Sequence, residues 1–402
     1  MCYCLGVRRA SLLFAFGATA LAGGSKHDAP AKLEDTCLDG SNANCKRHAL
    51  DTFHEALAKQ RAGKADRPLR ISYFGDSLTA DDQITHALRK QLQQLVGDGG
   101  PGFVFAAAPH PYCQHRAVSR VSNGSWKVHG VSTIYPPDHL LGLGGSAESD
   151  GGGTIRFTPT GPVHTVDVHY LAQPHGGKLD VAADGKVIET IATTAEHKQA
   201  AFSSATVPDG TKKIELRAHG RVRLFGASFE AASGAVVDNL GVVNATAKAM
   251  HNNNLDEHLR NQLAHRASDL VVVMYGTNEA EWLHARGAGM AEHEKLFGEL
   301  LATVRAGSPD SSCLVVSPLD QLDWRDENMP PRDSIPAMVA AQRRAAEANG
   351  CAFWDVYTWM GGKGASRTWH NRGFMSKDYQ HPTSEGAERI AAALYAGLVA
   401  EK

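Results

Sequence analysis

Leu270–Tyr275 reads Leu-Val-Val-Val-Met-Tyr, an apolar run with no polar face. A strand of that kind is buried on both sides, and sheets buried on both sides are parallel, with helices layered over each face. The sequence around it supplies the other parts. Strand-like runs at Leu69–Phe74, Cys313–Ser317 and Cys351–Val356 alternate with helical patterns at Ile84–Val96, Met290–Ala306, Ile335–Asn349 and Ser384–Val399. In the first helix Ile84, Leu88, Leu92 and Leu95 recur at helical spacing. Ser384 or Thr383 is placed to cap the last. The alternation predicts a parallel sheet with helices on both faces.

Between Gly97 and Gly234 the texture changes. The run Gly97–Gly102 ends the first helix with glycine and proline. Short stretches of period-two alternation follow at Thr154–Phe157, Thr165–Tyr170, Lys178–Val181, Lys186–Ile188, Lys213–Arg217 and Val222–Phe225. Turn signals separate them, among them Ala183-Asp184-Gly185 and Pro208-Asp209-Gly210. Closely spaced strands without an intervening helix predict an antiparallel sandwich. It interrupts the α/β pattern, so the expected organisation is an α/β domain from residues 66–99 and 234–402 with a β-sandwich inserted at 100–233. No internal repeat is visible.

The N-terminus reads as a targeting segment. Arg8 and Arg9 precede the short apolar stretch Ala10–Leu21, and Ala20-Leu21-Ala22 offers a small-x-small cleavage site before Gly23. Residues 1–22 are therefore expected to be a signal peptide, followed by an N-terminal segment over 23–65 with one helical pattern at Ala49–Arg61. The apolar stretch is too short to persist as a membrane span. No cysteine follows it to carry a lipid, so no membrane anchor is expected after cleavage. An exported protein, periplasmic or secreted, would carry Cys37, Cys45, Cys113, Cys313 and Cys351 into a compartment that permits pairing. Cys37 with Cys45, and Cys313 with Cys351, could bridge; free packed thiols are the alternative. With 41 Lys+Arg against 43 Asp+Glu and no long basic run, neither nucleic acid nor an anionic membrane is an expected partner.

Three short segments carry chemistry. Phe74-Gly75-Asp76-Ser77-Leu78-Thr79 follows the first strand, where an open α/β sheet places its sites. Tyr275-Gly276-Thr277-Asn278-Glu279 leaves the buried strand, and an Asn there can donate into the same crevice. Asp378-Tyr-Gln-His381-Pro382 precedes the last helix. A carboxylate three residues before a histidine can fix the imidazole tautomer and support the charge it gains. Each segment alone also reads as an ordinary turn or cap. Together they resemble the SGNH, or GDSL, hydrolase family, over residues 66–99 and 234–402. The resemblance implies a flavodoxin-like three-layer αβα domain, with Ser77 as nucleophile, His381 as general base and acid, and Asp378 orienting His381. It implies an oxyanion hole from the Ser77 N–H, the Asn278 side chain and, by way of Val237-Asp-Asn-Leu-Gly241, the Gly241 N–H. Glu279 departs from the commoner Asp after Asn278.

An SGNH domain interrupted after its first helix by a sandwich, behind an export signal, is similar to bacterial peptidoglycan O-acetylesterases. Their insert resembles a carbohydrate-binding module and is jelly-roll-like. The substrate so implied is the 6-O-acetyl group of N-acetylmuramic acid in peptidoglycan. Esterases of xylan or another exported glycan, glycan O-acetyltransferases, and a glycan-binding protein with a vestigial triad are the competing readings. No cofactor or metal is expected: there is no H-E-x-x-H, and His164, His169 and His175 fall in strand or turn contexts that suit packing or surface roles. The glycines at Gly142–Gly145 and Gly151–Gly153 lack the Lys-Ser/Thr of a phosphate loop. No G-x-S-x-G elbow occurs near the candidate nucleophile. Trp126, Trp282, Trp324, Trp354, Trp359 and Trp369 are candidates for a sugar groove, with Trp354 placed in a strand.

Overall fold

A computed structural model describes residues 29–40, 44–286 and 289–400. The signal peptide expected over residues 1–22 lies outside the described residues. The chain opens with β1 (Leu33–Glu34), α1 (Asp51–Arg61), β2 (Leu69–Gly75), α2 (Ser77–Ala80) and α3 (Gln83–Val96). Eleven strands follow without a helix: β3 (Gly102–Phe105), β4 (Val118–Gly124), β5 (Lys127–Gly130), β6 (Gly145–Ser149), β7 (Gly153–Pro159), β8 (Thr165–Ala172), β9 (Lys178–Ala183), β10 (Lys186–Ala192), β11 (Gln199–Thr206), β12 (Ile214–His219) and β13 (Val222–Glu230). The rest comprises β14 (Ala235–Gly241), α4 (Ala247–Asn252), α5 (Asp256–Arg266), β15 (Leu270–Met274), α6 (Thr277–Arg286) and α7 (Met290–Gly307). It closes with β16 (Ser312–Val316), α8 (Ser334–Ala348), β17 (Ala352–Trp354), α9 (Val356–Met360), α10 (Ala365–Asn371) and α11 (Ser384–Val399).

One sheet has the order β1-β17-β16-β15-β2-β14 and is parallel except at β1. Period-two alternation divides each buried strand between two cores. Leu270, Val272 and Met274 pack with Ile84, Leu88 and Leu92 of α3 and with Ile390 and Leu394 of α11. Val271 and Val273 face the other way, toward Leu259 of α5, Phe297 and Leu300 of α7 and Met338 of α8. The fold is the expected α/β sandwich of three layers. Helix α11 has the predicted bounds because Thr383 caps it, accepting from the Gly386 N–H at 3.3 Å.

Two antiparallel sheets, β10-β9-β12-β7-β4 and β11-β8-β13-β6-β5 with β3 beside β13, form the β-domain inserted between α3 and β14. Ile155, Phe157, Leu179, Val181, Ile214 and Leu216 of one sheet meet Val166, Val168, Leu224 and Phe229 of the other. The outer face of β8 turns toward α5. That helix escapes detection in the sequence because its buried residues, His258, Leu259, Gln262, Leu263 and Arg266, mix polar with apolar. It packs on the parallel sheet and against the insert at once, so it has no plain amphipathic stripe. No helix among the described residues is long and apolar enough to cross a membrane.

Cys313 in β16 and Cys351, just before the neighbouring strand β17, are bonded, with Cα atoms 4.6 Å apart, and Cys37 is bonded to Cys45. Cys113 is buried and free. The longer link spans 38 residues and restricts the unfolded chain. Replacing Cys313 and Cys351 together by Ser is expected to lower the unfolding free energy by about 2–4 kcal/mol in urea titration. An unchanged midpoint would mean that the edge of the sheet is held by packing alone.

Candidate active site

Chemistry gathers at the carboxyl ends of β2, β14 and β15. Parallel pairing aligns Gly75 with both Gly241 and Met274, so the loops that leave these strands start side by side. The turn after β2 is tight. A Cβ on Gly75 would lie 2.2 Å from Thr79 Oγ1 and 2.9 Å from the Met274 carbonyl, so only glycine fits there. The next residue, Asp76, is 1% exposed, and its carboxylate accepts from the Leu78 N–H at 3.0 Å and the Thr277 N–H at 3.2 Å. One buried side chain thereby ties the turn after β2 to the turn after β15. Burial raises the Asp76 pKa, and the two N–H donors oppose that shift.

Ser77 is the first residue of α2. Its Oγ lies 2.7 Å from His381 Nε2, and His381 Nδ1 lies 2.7 Å from Asp378 Oδ2. The other Asp378 oxygen accepts from the Gln380 N–H at 3.0 Å and the His381 N–H at 3.1 Å. Tyr379 takes a φ of 54°, which closes this turn. Met375 and Pro382 pair across its base, and the Ser376 N–H donates to the His381 carbonyl at 2.8 Å. Burial would raise the Asp378 pKa, but the hydrogen bonds from His381 and from backbone N–H groups outweigh it and hold the carboxyl at about 2. For His381 burial disfavours the charged ring, and the bond to Asp378 more than compensates, so its pKa is raised. A hydroxyl, an imidazole and a carboxylate in this relay can deprotonate the hydroxyl for attack on an acyl carbon.

Asn278 stands in the first turn of α6, and its Nδ2 donates to the Ala245 carbonyl at 2.9 Å. One hydrogen of that amide nitrogen remains. The Ser77 N–H donates to no acceptor among the described residues. Gly241 is not placed as the sequence suggested. It is buried at the end of β14 and its N–H donates to Asn239 Oδ1 at 3.1 Å. A Cβ there would come within 2.3 Å of the Ala80 nitrogen, so this glycine gives α2 room to approach β14. On the same loop Asn244 is exposed, takes a φ of 61° and makes no backbone N–H bond among the described residues. Asparagine tolerates the left-handed backbone that this position requires.

Glu279, the departure noted in the sequence, is 6% exposed and accepts from the Ala247 N–H at 2.8 Å. Burial, reinforced by the charge of Asp76, pushes its pKa up to about 8. It is therefore largely protonated at neutral pH. Trp282 and Trp324 are each 53% exposed, whereas Trp354 and Trp369 belong to the core. Trp282 and Glu279 line a groove of about 370 Å³ with Asn252, Asn253 and Leu283. Among the described residues, no group of three side chains placed to hold a metal includes His381 or Asp378.

Comparisons with known proteins bear on the family and the fold. Residues 204–389 match the GDSL-like lipase/acylhydrolase family. The match takes in Gly241, Asn278, Asp378 and His381 and begins within the insert; Ser77 lies before it. The structure of a peptidoglycan O-acetylesterase superposes with a TM-score of 0.74 at 24% identity, over 86% of this chain and 95% of that one. An acetylxylan esterase from Geobacillus stearothermophilus, in catalytic-mutant form, matches at a TM-score of 0.31 and 16% identity over 42% of this chain and 74% of its own. A 4-coumarate–CoA ligase of Halorhodospira halophila is 35% identical over 78 residues, 19% of this chain. The chain spans only 20% of the length of that relative.

Two measurements follow from the electrostatics. A base must be neutral, so kcat/KM on a chromogenic acetyl ester should fall as pH drops through the raised His381 pKa. In Asp378→Asn that acidic limb should move to lower pH and the plateau should drop, by up to roughly 10⁴-fold; an unmoved limb would separate Asp378 from the titration. Glu279 favours its protonated form in the folded state. As pH rises, the unfolded chain ionises first, from about 4.5, so wild-type stability is lost up to about pH 8 and the loss then levels off. Glu279→Gln does not titrate, and its Tm advantage over wild type should widen across that window. A constant difference would show that Glu279 is ionised in the folded protein.

Proposed function

We propose that this chain, a GDSL-like acylhydrolase by its matched segment and its fold, is an exported serine esterase that removes O-acetyl groups from peptidoglycan. The observation that carries the reading is the relay from Ser77 through His381 to Asp378, with both links at 2.7 Å. It stands at the open rim of the sheet, where His381 and Asp378 are 38% and 46% exposed. A polymer-borne acetyl group can reach such a site without entering an enclosed pocket.

His381 Nε2 takes the proton as Ser77 Oγ attacks the acetyl carbonyl. It then returns that proton to the departing sugar oxygen, leaving acetyl-Ser77. Water deprotonated by His381 releases acetate. The Asp378 carboxylate keeps the Nδ1 proton in place and supports the imidazolium in both half-reactions. The oxyanion is held by the Ser77 N–H and the remaining Asn278 amide hydrogen. The third donor is the Asn244 N–H rather than that of Gly241, whose hydrogen is already engaged by Asn239. Each such donor typically contributes ~100- to 1000-fold in turnover.

The 6-O-acetyl group of N-acetylmuramic acid is the substrate this reading favours. Support comes from the fold likeness to a peptidoglycan O-acetylesterase, which runs through the inserted sandwich as well as the catalytic layer. The exposed indoles of Trp282 and Trp324 offer apolar faces for sugar rings, and the insert is read as the second surface that meets the polymer. The location that fits such a substrate is the periplasm or the exterior. Acetate release from O-acetylated peptidoglycan, wild type beside Ser77→Ala, tests the whole reading. Release by the wild type and none by the variant is expected. Cleavage of p-nitrophenyl acetate without release from peptidoglycan would retain the triad and remove the cell-wall assignment.

A further inference from the structure

Three ligand-type side chains converge where the sandwich meets the catalytic layer, away from Ser77. Asp167 and His169 stand two apart on β8 and so project from one face of that strand. His265 comes from the last turn of α5. Asp167 Oδ2 lies 2.8 Å from His265 Nε2 and 3.3 Å from His169 Nε2, and one ligand atom from each residue falls within 4.8 Å of the other two. A tetrahedral zinc with bonds of about 2.0–2.1 Å needs ligand atoms roughly 3.3 Å apart.

His169 gives the second observation. It is fully buried, and its Nδ1 lies 2.8 Å from Gln262 Oε1. With Gln262 presenting its carbonyl oxygen, Nδ1 carries the ring proton and Nε2 keeps a lone pair. That Nε2 makes no hydrogen bond, yet it faces the Asp167 carboxylate. Two electron pairs directed at one point repel, and a cation between them removes the repulsion. A histidine whose far nitrogen is fixed by an amide oxygen is also the usual setting of a metal ligand.

The other two ligands are held as firmly. Asp167 Oδ1 accepts from Ser204 Oγ at 2.6 Å, and the His265 ring stacks on Phe202 at 3.6 Å with planes 5° apart. His265 and Asp167 remain 31% and 16% exposed, which leaves a path of entry and room for water as a fourth ligand.

We propose that Asp167, His169 and His265 form a divalent-metal site of zinc type that staples the inserted sandwich to α5. Because α5 leads directly into the start of β15, the site lies at the amino-terminal edge of the sheet, opposite the Ser77 rim. Its role is to hold the two domains together, and acyl transfer does not pass through it. The expectation of a packing or surface role for His169 gave no hint of this, since His265 is 98 residues from Asp167.

The test uses the full chain, stripped with chelator, dialysed against zinc chloride and analysed for bound metal. Wild type and Ser77→Ala should each retain one zinc and gain several degrees in Tm. His265→Gln and Asp167→Asn, which preserve shape, should bind at least tenfold more weakly and show no gain, while hydrolysing p-nitrophenyl acetate at the wild-type rate. Cobalt in the wild type should give the visible d–d bands of a tetrahedral site, a readout that needs no variant. Wild-type protein that lacks those bands, or that holds no more zinc than His265→Gln, would overturn the proposal. The trio would then be a hydrogen-bonded latch in which His169 donates from Nε2 to Asp167.

Discussion

The Asp238 carboxylate, fully buried in the middle of β14, is the point at which the parts of this fold are joined. It accepts from Arg266 Nε and Nη2 at 2.8 and 2.9 Å, from Ser72 Oγ at 3.0 Å and from the Phe103 N–H at 2.7 Å. Those four donors belong to α5, β2 and the first strand of the sandwich. Arg266 also reaches Glu230 at 2.5 Å, at the last residue of the sandwich, and Arg70 of β2 meets the same carboxylate at 2.7 Å. The insert therefore leaves and re-enters the sheet through one ionic knot. Burial would raise the pKa of Asp238, but the Arg266 charge outweighs it and keeps the carboxyl ionised. Removing one partner of such a pair costs about 3–5 kcal/mol, because the other is left as an unpaired buried charge. Gly102 makes room for the knot: a Cβ there would lie 2.5 Å from Asp238 Oδ1.

The two edges of the parallel sheet are built to different ends. At the amino-terminal edge, arginine–carboxylate pairs fasten helix, sheet and sandwich, with Arg67 adding a two-pronged contact to Asp269 at 2.8 Å. At the carboxyl edge, two buried acids, Asp76 and Glu279, order backbone rather than pair with bases. Asp76 draws together the turns after β2 and β15, and Glu279 draws α6 toward the start of α4. Neither carboxyl has an arginine to neutralise it, which is why burial raises both pKa values. The result is a rim whose loops are fixed by hydrogen bonds while Ser77 and His381 stay accessible.

Much of the site was legible because its signals are local. Gly75-Asp76-Ser77 and Asp378-x-x-His381 each place their functional atoms within one turn, and the structure brings the two turns to 2.7 Å. Gly241 is a different case. Its glycine character reflects the close approach of Ala80, a tertiary constraint, and its N–H is taken by Asn239. Helix α5 was not visible either, since Gln262, His265 and Arg266 are polar residues turned toward a second domain. A hydrophobic pattern cannot report a face that is buried through hydrogen bonds and ion pairs.

The sequence by itself determined the layers and the candidate triad. The unbroken apolar strands demanded a covered parallel sheet, the alternating strands demanded a sandwich, and the serine, histidine and aspartate stood in short motifs with their own geometry. Tertiary structure alone decided which strands are neighbours, and therefore that Gly75 aligns with Gly241 and Met274 across the insertion. It also decided the state of the buried acids and the meeting of Asp167, His169 and His265. The reason is physical: strand periodicity and turn chemistry act over a few residues and are written there. The charge and hydrogen bonding of a buried group depend on partners from 28 to 201 residues away, which only the folded chain brings within reach.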